Sequence, residues 1–296
     1  MSSANGNTPA RHVLAAGDGW SVSAVEVWPA AGSRAFEQQH ALASIAIITA
    51  GSVRYRSHRG AATIAAGAWL LGNAGRDFEC TWPHSPGDRC ITFAYAPDFL
   101  GGVARAIPGV RRTEFPVHRL PPTPAILPLG ALAQSTSGDA ARWEEIALAA
   151  AGEALARAGE ATSPRRAPSR HDEARINDAL AAIERRYDEP LAIADLAAAA
   201  RMSPYHFLRV FTDVVGVTPY RFLMRTRLRQ AAIELATGRE RISAIAFGAG
   251  FGDLSTFIGT FRRVFGMAPS DYRRAARRYT TASSISRTVW ARSRVL

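Results

Sequence analysis

One pattern is written twice in this chain, as "HFLRVFTDVVGVTP" at residues 206–219 and "TFIGTFRRVFGMAP" at residues 256–269. Phe207, Phe211, Val214, Val215, Gly216 and Pro219 recur fifty residues on as Phe257, Phe261, Val264, Phe265, Gly266 and Pro269. Apolar side chains at i, i+4, i+7 and i+8 line one face of a helix. The Gly then ends that helix and the Pro opens the next.

Each copy expands into a helix-turn-helix. "LAIADLAAAA" (191–200) is a short Ala-rich helix, "RMS" turns, and Ser203 followed by Pro204 is an N-cap with Pro at the first helical position. The second copy runs from "ISAIAFGAGF" (242–251) into "GDLSTFIGTFRRVFG" (252–266), with Asp253 as its cap and one extra residue in the turn. The two units therefore span about 191–215 and 242–265. Thr218 and Pro219 start a connecting helix that ends at Gly238 and carries Arg221, Arg225 and Arg229 at i, i+4 and i+8 as a basic stripe. Burying Phe207, Phe211, Phe257 and Phe261 leaves Tyr205, His206, Leu208 and Arg209 outside the core. In the second copy Arg262 and Arg263 are free to grip phosphates or to stand as a solvated face.

Charge agrees with a polyanionic partner, and an acidic membrane or a basic genomic composition bias would give the same count. Net charge is +11, and all 36 basic residues are Arg. Residues 171–296 hold 20 Arg against 12 acids, so the basic footprint lies in the repeat-bearing part. Arg adds bidentate hydrogen bonding to the electrostatic attraction of a phosphate backbone. At 296 residues the chain has material for about two domains, and no apolar run approaches the roughly 20 residues of a membrane helix. The first twenty residues do not resemble a secretory signal and there are only two cysteines, both of which point to the cytoplasm and away from a membrane.

Ahead of the repeats, residues 20–95 read as short strands: "VRYRSH" alternates and "IAIITAG" is an apolar run stopped by Gly. A barrel or sandwich is expected there. The Ala/Leu-rich stretch 141–159 is a helix, either a dimer contact or a helix packed on its own barrel, and 160–172 has the Pro, Ser and Arg content of a linker.

The block from Ala174 to Arg274, closing with "AIAFGAGFGDLSTFIGTFRRVFGMAPSDYRR", resembles the DNA-binding domain of the AraC/XylS family of bacterial transcription regulators. That resemblance implies an α+β protein with an N-terminal all-β, cupin-like barrel and an all-α double helix-turn-helix. The implied organisation is an arm (1–19), a cupin-like sensor (20–125), a helical dimerisation or packing segment (126–159), a linker (160–172), the DNA-binding domain (173–278) and a tail (279–296). It implies that two recognition helices enter successive major-groove segments of double-stranded DNA. The family's base-reading positions fall on Tyr205, Leu208 and Arg209, and on Leu254, Ser255, Ile258 and Gly259. Arg209 is the natural bidentate partner for a guanine. Gly259 stands where the family often has a polar or Arg side chain, so the second unit is expected to use Leu254 and Ile258 on thymine methyls or to grip phosphates. A small-molecule effector, RNA polymerase, a homodimer and an activating role are likewise implied by the resemblance. One rival reading, a metal-dependent cupin enzyme, lacks its His-x-His set: Gln38 and Gln39 precede His40, and no acid occurs between Glu37 and Asp77. The other is a metal or redox sensor with DNA binding secondary.

One constellation remains, Cys80, His84 and Cys90 in "ECTWPHSPGDRC" (79–90). Its thiols and imidazole suit zinc or another thiophilic metal, with His40 or His58 as a further ligand. The pair of cysteines also suits a redox-sensitive disulfide, or simple packing beside a turn.

Overall fold

The computed structural model describes residues 9–28, 35–82, 88–136, 138, 140–159 and 169–280. Strands β1 (Ala10–Gly17), β2 (Trp20–Val27), β3 (Phe36–Gln39), β4 (Ala43–Ala50), β5 (Ser52–Ser57), β6 (Gly60–Ala65), β7 (Trp69–Gly72), β8 (Asp77–Thr81) and β9 (Asp88–Tyr95) precede helix α1 (Pro97–Ala106), and β10 (Arg119–Leu120) follows it. They form two antiparallel sheets, ordered β1-β2-β9-β4-β7-β10 and β3-β8-β5-β6. The expected barrel is thus an open stack of two sheets among the described residues. Of the expected N-terminal arm, residues 1–8 lie outside the described residues, and Ala10–Gly17 form β1, which pairs with β2 from Ala10↔Glu26 to Gly17↔Trp20.

The larger sheet is covered on both faces. Successive side chains of a strand point to opposite sides, so Ile45 and Ile47 of β4 join Trp20, Trp69 and Phe93 on one face, while Ala46 and Ile48 face Val53, Tyr55 and Ile64 of the smaller sheet. This double burial is why β4 reads as an unbroken apolar run. Helix α3 (Ala140–Ala158) closes the first face with Trp143, Ile146 and a row of buried alanines, and Tyr95 Oη donates to the Ala147 carbonyl at 2.9 Å. Its buried face packs on its own sheet, while Leu148 on the same helix is exposed.

The C-terminal part is helical: α4 (Arg170–Arg185), α5 (Ile193–Ala199), α6 (Pro204–Val215), α7 (Pro219–Thr237), α8 (Ile242–Gly248), α9 (Leu254–Phe265) and α10 (Pro269–Thr280). Ser169 Oγ accepts the Asp172 amide at 3.1 Å and caps α4, so the last residues of the expected linker belong to a helix. Residues 160–168 and the tail 281–296 lie outside the described residues. Helix α7 is shared by two cores. Phe222 and Leu223 close the first around Phe207 and Phe211, and Leu228, Ala232 and Leu235 close the second around Phe257 and Phe261. The second core also takes in Leu127 and Ala131 of α2 (Leu127–Ser135), which ties it to the N-terminal part.

Candidate nucleic-acid interface and inter-sheet cavity

The two recognition helices are held by the same three devices. A side chain caps the start: Ser203 Oγ accepts the His206 amide at 3.4 Å, and Asp253 Oδ1 accepts the Thr256 amide at 2.7 Å. That hydrogen bond also holds the Asp253 carboxyl below its usual range. A left-handed glycine, Gly216 (φ 85°) or Gly266 (φ 72°), ends each helix. Between them a phenylalanine pair anchors the inner face, with ring centroids 5.6 Å apart for Phe207 and Phe211 and 5.5 Å for Phe257 and Phe261.

What remains outward differs between the two. On α6, Tyr205 is 78% exposed and Leu208 and Arg209 are exposed beside it. His206 is half-buried and faces two ways. Its Nδ1 lies 3.3 Å from Arg209 Nη2, and its Nε2 lies 3.9 Å from Asp172 Oδ1 on α4. That arrangement suits His206 to positioning Arg209. On α9, Ser255, Ile258, Arg262 and Arg263 are exposed around Gly259. A Cβ placed on Gly259 meets nothing within 4 Å, so packing does not require glycine there. Leu254 is half-buried against the second core, so part of its side chain is committed inward.

The basic stripe of α7 is corrected. Arg221 is exposed, but Arg225 donates to the Pro122 carbonyl and Arg229 is 3% exposed. Burial, with Arg221 adding repulsion, lowers the Arg225 pKa to about 10. Sequence spacing correctly put the three on one face. The missing information was that Pro122 would meet Arg225 and that Glu184 would bear on the buried Arg229. Arg227, which the sequence reading passed over, donates to the carbonyls of Tyr187 and Glu189 at 2.7 and 2.8 Å and ties α7 to the end of α4.

Between the sheets lies a cavity of about 500 Å³. Phe36, Phe78 and Trp82 form one wall, and Ser21, Ser44 and Thr92 from the larger sheet form the other. His40 stacks on Phe78 with centroids 4.2 Å apart, and its Nε2 and Nδ1 meet Tyr55 Oη at 3.0 Å and Ser44 Oγ at 3.2 Å. Burial pushes its pKa down to about 4, so the ring is neutral, and both nitrogens are engaged. Cys80 and Cys90 line the same cavity from opposite sheets as free cysteines. His84 lies outside the described residues. Burial pushes the Cys80 thiol up to about 12 and raises that of Cys90, so both carry their protons at neutral pH, whereas metals bind the thiolate.

The cavity abuts the helical part at the β4–β5 turn. Asp88 lines the cavity and accepts the Ser52 amide at 2.9 Å. The adjacent Gly51 amide donates to Glu184 Oε2 of α4 at 3.0 Å, and Ser52 Oγ donates to Asn177 Oδ1 at 3.4 Å. Gly51 has φ 77°, and a Cβ there would overlap the Asp88 carboxylate. Arg54 pairs with Glu173, also on α4, and Arg119 donates to the Val214 carbonyl at the end of α6. These contacts, distant in sequence, were not legible in any local pattern.

Comparison with known proteins accords with this geometry. A family described as "Helix-turn-helix domain" matches residues 196–275. The HTH-type transcriptional regulator Rv1931c of Mycobacterium tuberculosis is 42% identical over 83 residues, 28% of this chain and 32% of the relative, so the chain spans about a third of that protein's length. The regulatory protein SoxS of Escherichia coli (strain K12) is 37% identical over 98 residues, 33% of this chain and 92% of SoxS. Among solved structures, the DNA-binding domain of AdpA in complex with a target DNA is 30% identical and covers 36% of this chain and 97% of that one, with a TM-score of 0.35. No helix among the described residues is long and apolar enough to cross a membrane. Two capped helix-turn-helix units that share one helix, together with near-complete coverage of a relative at this identity, show that the chain belongs to the AraC/XylS family of transcriptional regulators.

Proposed function

We propose that this protein binds double-stranded DNA in a sequence-specific way and regulates transcription in response to a small molecule held between the sheets of its cupin-like N-terminal domain. The observation that carries the DNA reading is the pair of outward faces: Tyr205, Leu208 and Arg209 on α6, and Ser255, Ile258, Arg262 and Arg263 on α9. Both helices are pinned through their inner faces, so these side chains are presented from rigid supports. A single chain thereby offers two major-groove readers. By family analogy the regulator is an activator that works with RNA polymerase in the cytoplasm.

The sensing part rests on the route from cavity to DNA reader. Asp88 holds the β4–β5 turn, the turn holds Glu184, and α4 reaches at its other end to His206 and Arg209 through Asp172. An effector changes DNA affinity by as much as its own affinity differs between two arrangements of this junction. Cys80 and Cys90 act as lining residues of the cavity, and a thiophilic metal such as zinc would first have to displace both thiol protons. Metal content of protein purified without added metal, wild type beside Cys80→Ser, checks that assignment, and about one metal per chain lost in the variant would reverse it.

DNA binding is tested by selecting sites from a random duplex pool and measuring mobility shifts against competitor at several salt concentrations. A preferred sequence with a steep salt dependence is expected. Equal binding to all duplexes would defeat the specific reading.

A further inference from the structure

Asp88 is a buried acid that the DNA-binding reading leaves unused. It is 7% exposed, one of its oxygens is taken by the Ser52 amide, and among the described residues Oδ2 accepts no hydrogen bond. Among the described residues, the charged side chain that bears on it is another acid, Glu184. A buried carboxylate without a counter-charge is costly to hold ionised. Its place at a cavity wall makes it a candidate for pairing with something that enters the cavity.

The two arginines among the described lining residues do not supply that partner. Arg89 alternates with Asp88 and Cys90 along β9, which turns its side chain away from theirs, and it bears on Glu184. Arg11 is exposed on the edge strand β1, and the group it bears on is Cys90. Opposite the small hydroxyl-bearing wall, Phe36, Phe78 and Trp82 present an aromatic surface with the neutral His40 stacked among them. Aromatic faces attract cations, the more strongly where water is excluded.

We infer that the inter-sheet cavity is a site for a small organic cation, an apolar body carrying a protonated amine, with Asp88 as the counter-ion and the Phe36–Phe78–Trp82 wall around the body. The inference rests on the reading of the cavity as the effector site and names the chemistry of the effector. A rotation of the Asp88 carboxylate brings Oδ2 to the incoming N–H. Pairing the charge also removes the repulsion between Asp88 and Glu184, and so acts at the turn that α4 grips.

The test uses the full-length protein and three probes of one shape and different charge: 2-phenylethylammonium, 2-phenylethanol and 3-phenylpropionate, titrated by calorimetry near neutral pH. The ammonium is expected to bind at least tenfold more tightly than the alcohol. Asp88→Asn keeps an acceptor for the Ser52 amide and should lower ammonium affinity about tenfold while leaving the alcohol unchanged. Phe78→Leu, which removes one aromatic face, should weaken the ammonium several-fold. Equal binding of ammonium and alcohol, an unchanged ammonium affinity in Asp88→Asn, or no binding of any probe would overturn the inference. Tighter binding of the propionate would also overturn it and assign the cavity to anions held at Arg11. The effector reading itself stands or falls separately, on whether filling the cavity by Ala46→Phe changes DNA affinity in the same chain.

Discussion

The two helix-turn-helix units share a scaffold and differ in what they can do. Both have a cap, a phenylalanine pair and a left-handed terminal glycine, because those features hold a helix at a fixed angle to its neighbour. Their turns differ. In the first unit the left-handed position is Arg201 (φ 52°), and in the second it is Gly250 (φ 82°). An L side chain pays about 1–2 kcal/mol for that conformation. Arg201 tolerates it because the residue is exposed, whereas a Cβ on Gly250 would lie 2.8 Å from the Asp188 carbonyl oxygen and 2.9 Å from Arg227 Nε. The outward faces differ as well. The first unit offers a long guanidinium steadied by His206, and the second offers a bare backbone at Gly259 flanked by Ile258 and two arginines. The teaching of the pair is that a duplicated motif preserves its buried positions while its exposed positions diverge.

The largest expected effect strikes the second turn. Gly250→Val combines an unfavourable φ with a clash against backbone, and should lower unfolding free energy by about 3 kcal/mol in urea titrations. A cost near zero would mean that the two turns are equivalent after all.

Next comes the asymmetry of reading. Arg209→Ala should weaken binding to the preferred site by about 1–3 kcal/mol and relax discrimination at one base pair, whereas Ile258→Ala should cost less than about 1 kcal/mol. Mobility shifts on single-base variants of the site measure both. Equal loss on every sequence would reassign Arg209 to phosphate.

A smaller change sharpens the comparison of the turns. Arg201→Gly relieves a strained residue without touching the core, and should raise stability by about 0.5–1 kcal/mol after the added freedom of the unfolded chain is counted. The smallest effects concern salt. Arg262→Ala and Arg263→Ala should each reduce the slope of log affinity against log salt by about 1, while Arg225→Ala should leave it unchanged because its guanidinium is held by the Pro122 carbonyl. A lower slope for Arg225→Ala would mean that α7 swings free of the N-terminal domain when DNA binds.

Legibility in the sequence followed the range of the interactions. Ser203, Asp253, Gly216 and Gly266 act on residues a few positions away, so their roles could be read from a short window and the helix bounds agree with it. Leu254 sits at the first turn of a helix, between core and surface, and periodicity alone does not say how much of it is buried. Arg225 and Arg229 were misassigned because a stripe of arginines reads as solvated until something is known to cover it. For the strands, alternation and glycine turns indicated a β domain. The pairing of β3 with β8 and β5 with β6, apart from the larger sheet, depends on register between distant segments.

By itself the sequence determined two helix-turn-helix units on one shared helix and a basic, arginine-only C-terminal part, because capping, helical periodicity and charge are local properties. Only the tertiary structure decided which arginines are held by other chain segments, that Asp88 lies buried beside a cavity without a counter-charge among the described residues, and that one turn joins that cavity to α4. These facts arise where chain segments distant in sequence meet, as Gly51 meets Glu184 and Ser52 meets Asp88, and such meetings are set by the burial of whole faces and not by any neighbour in the sequence.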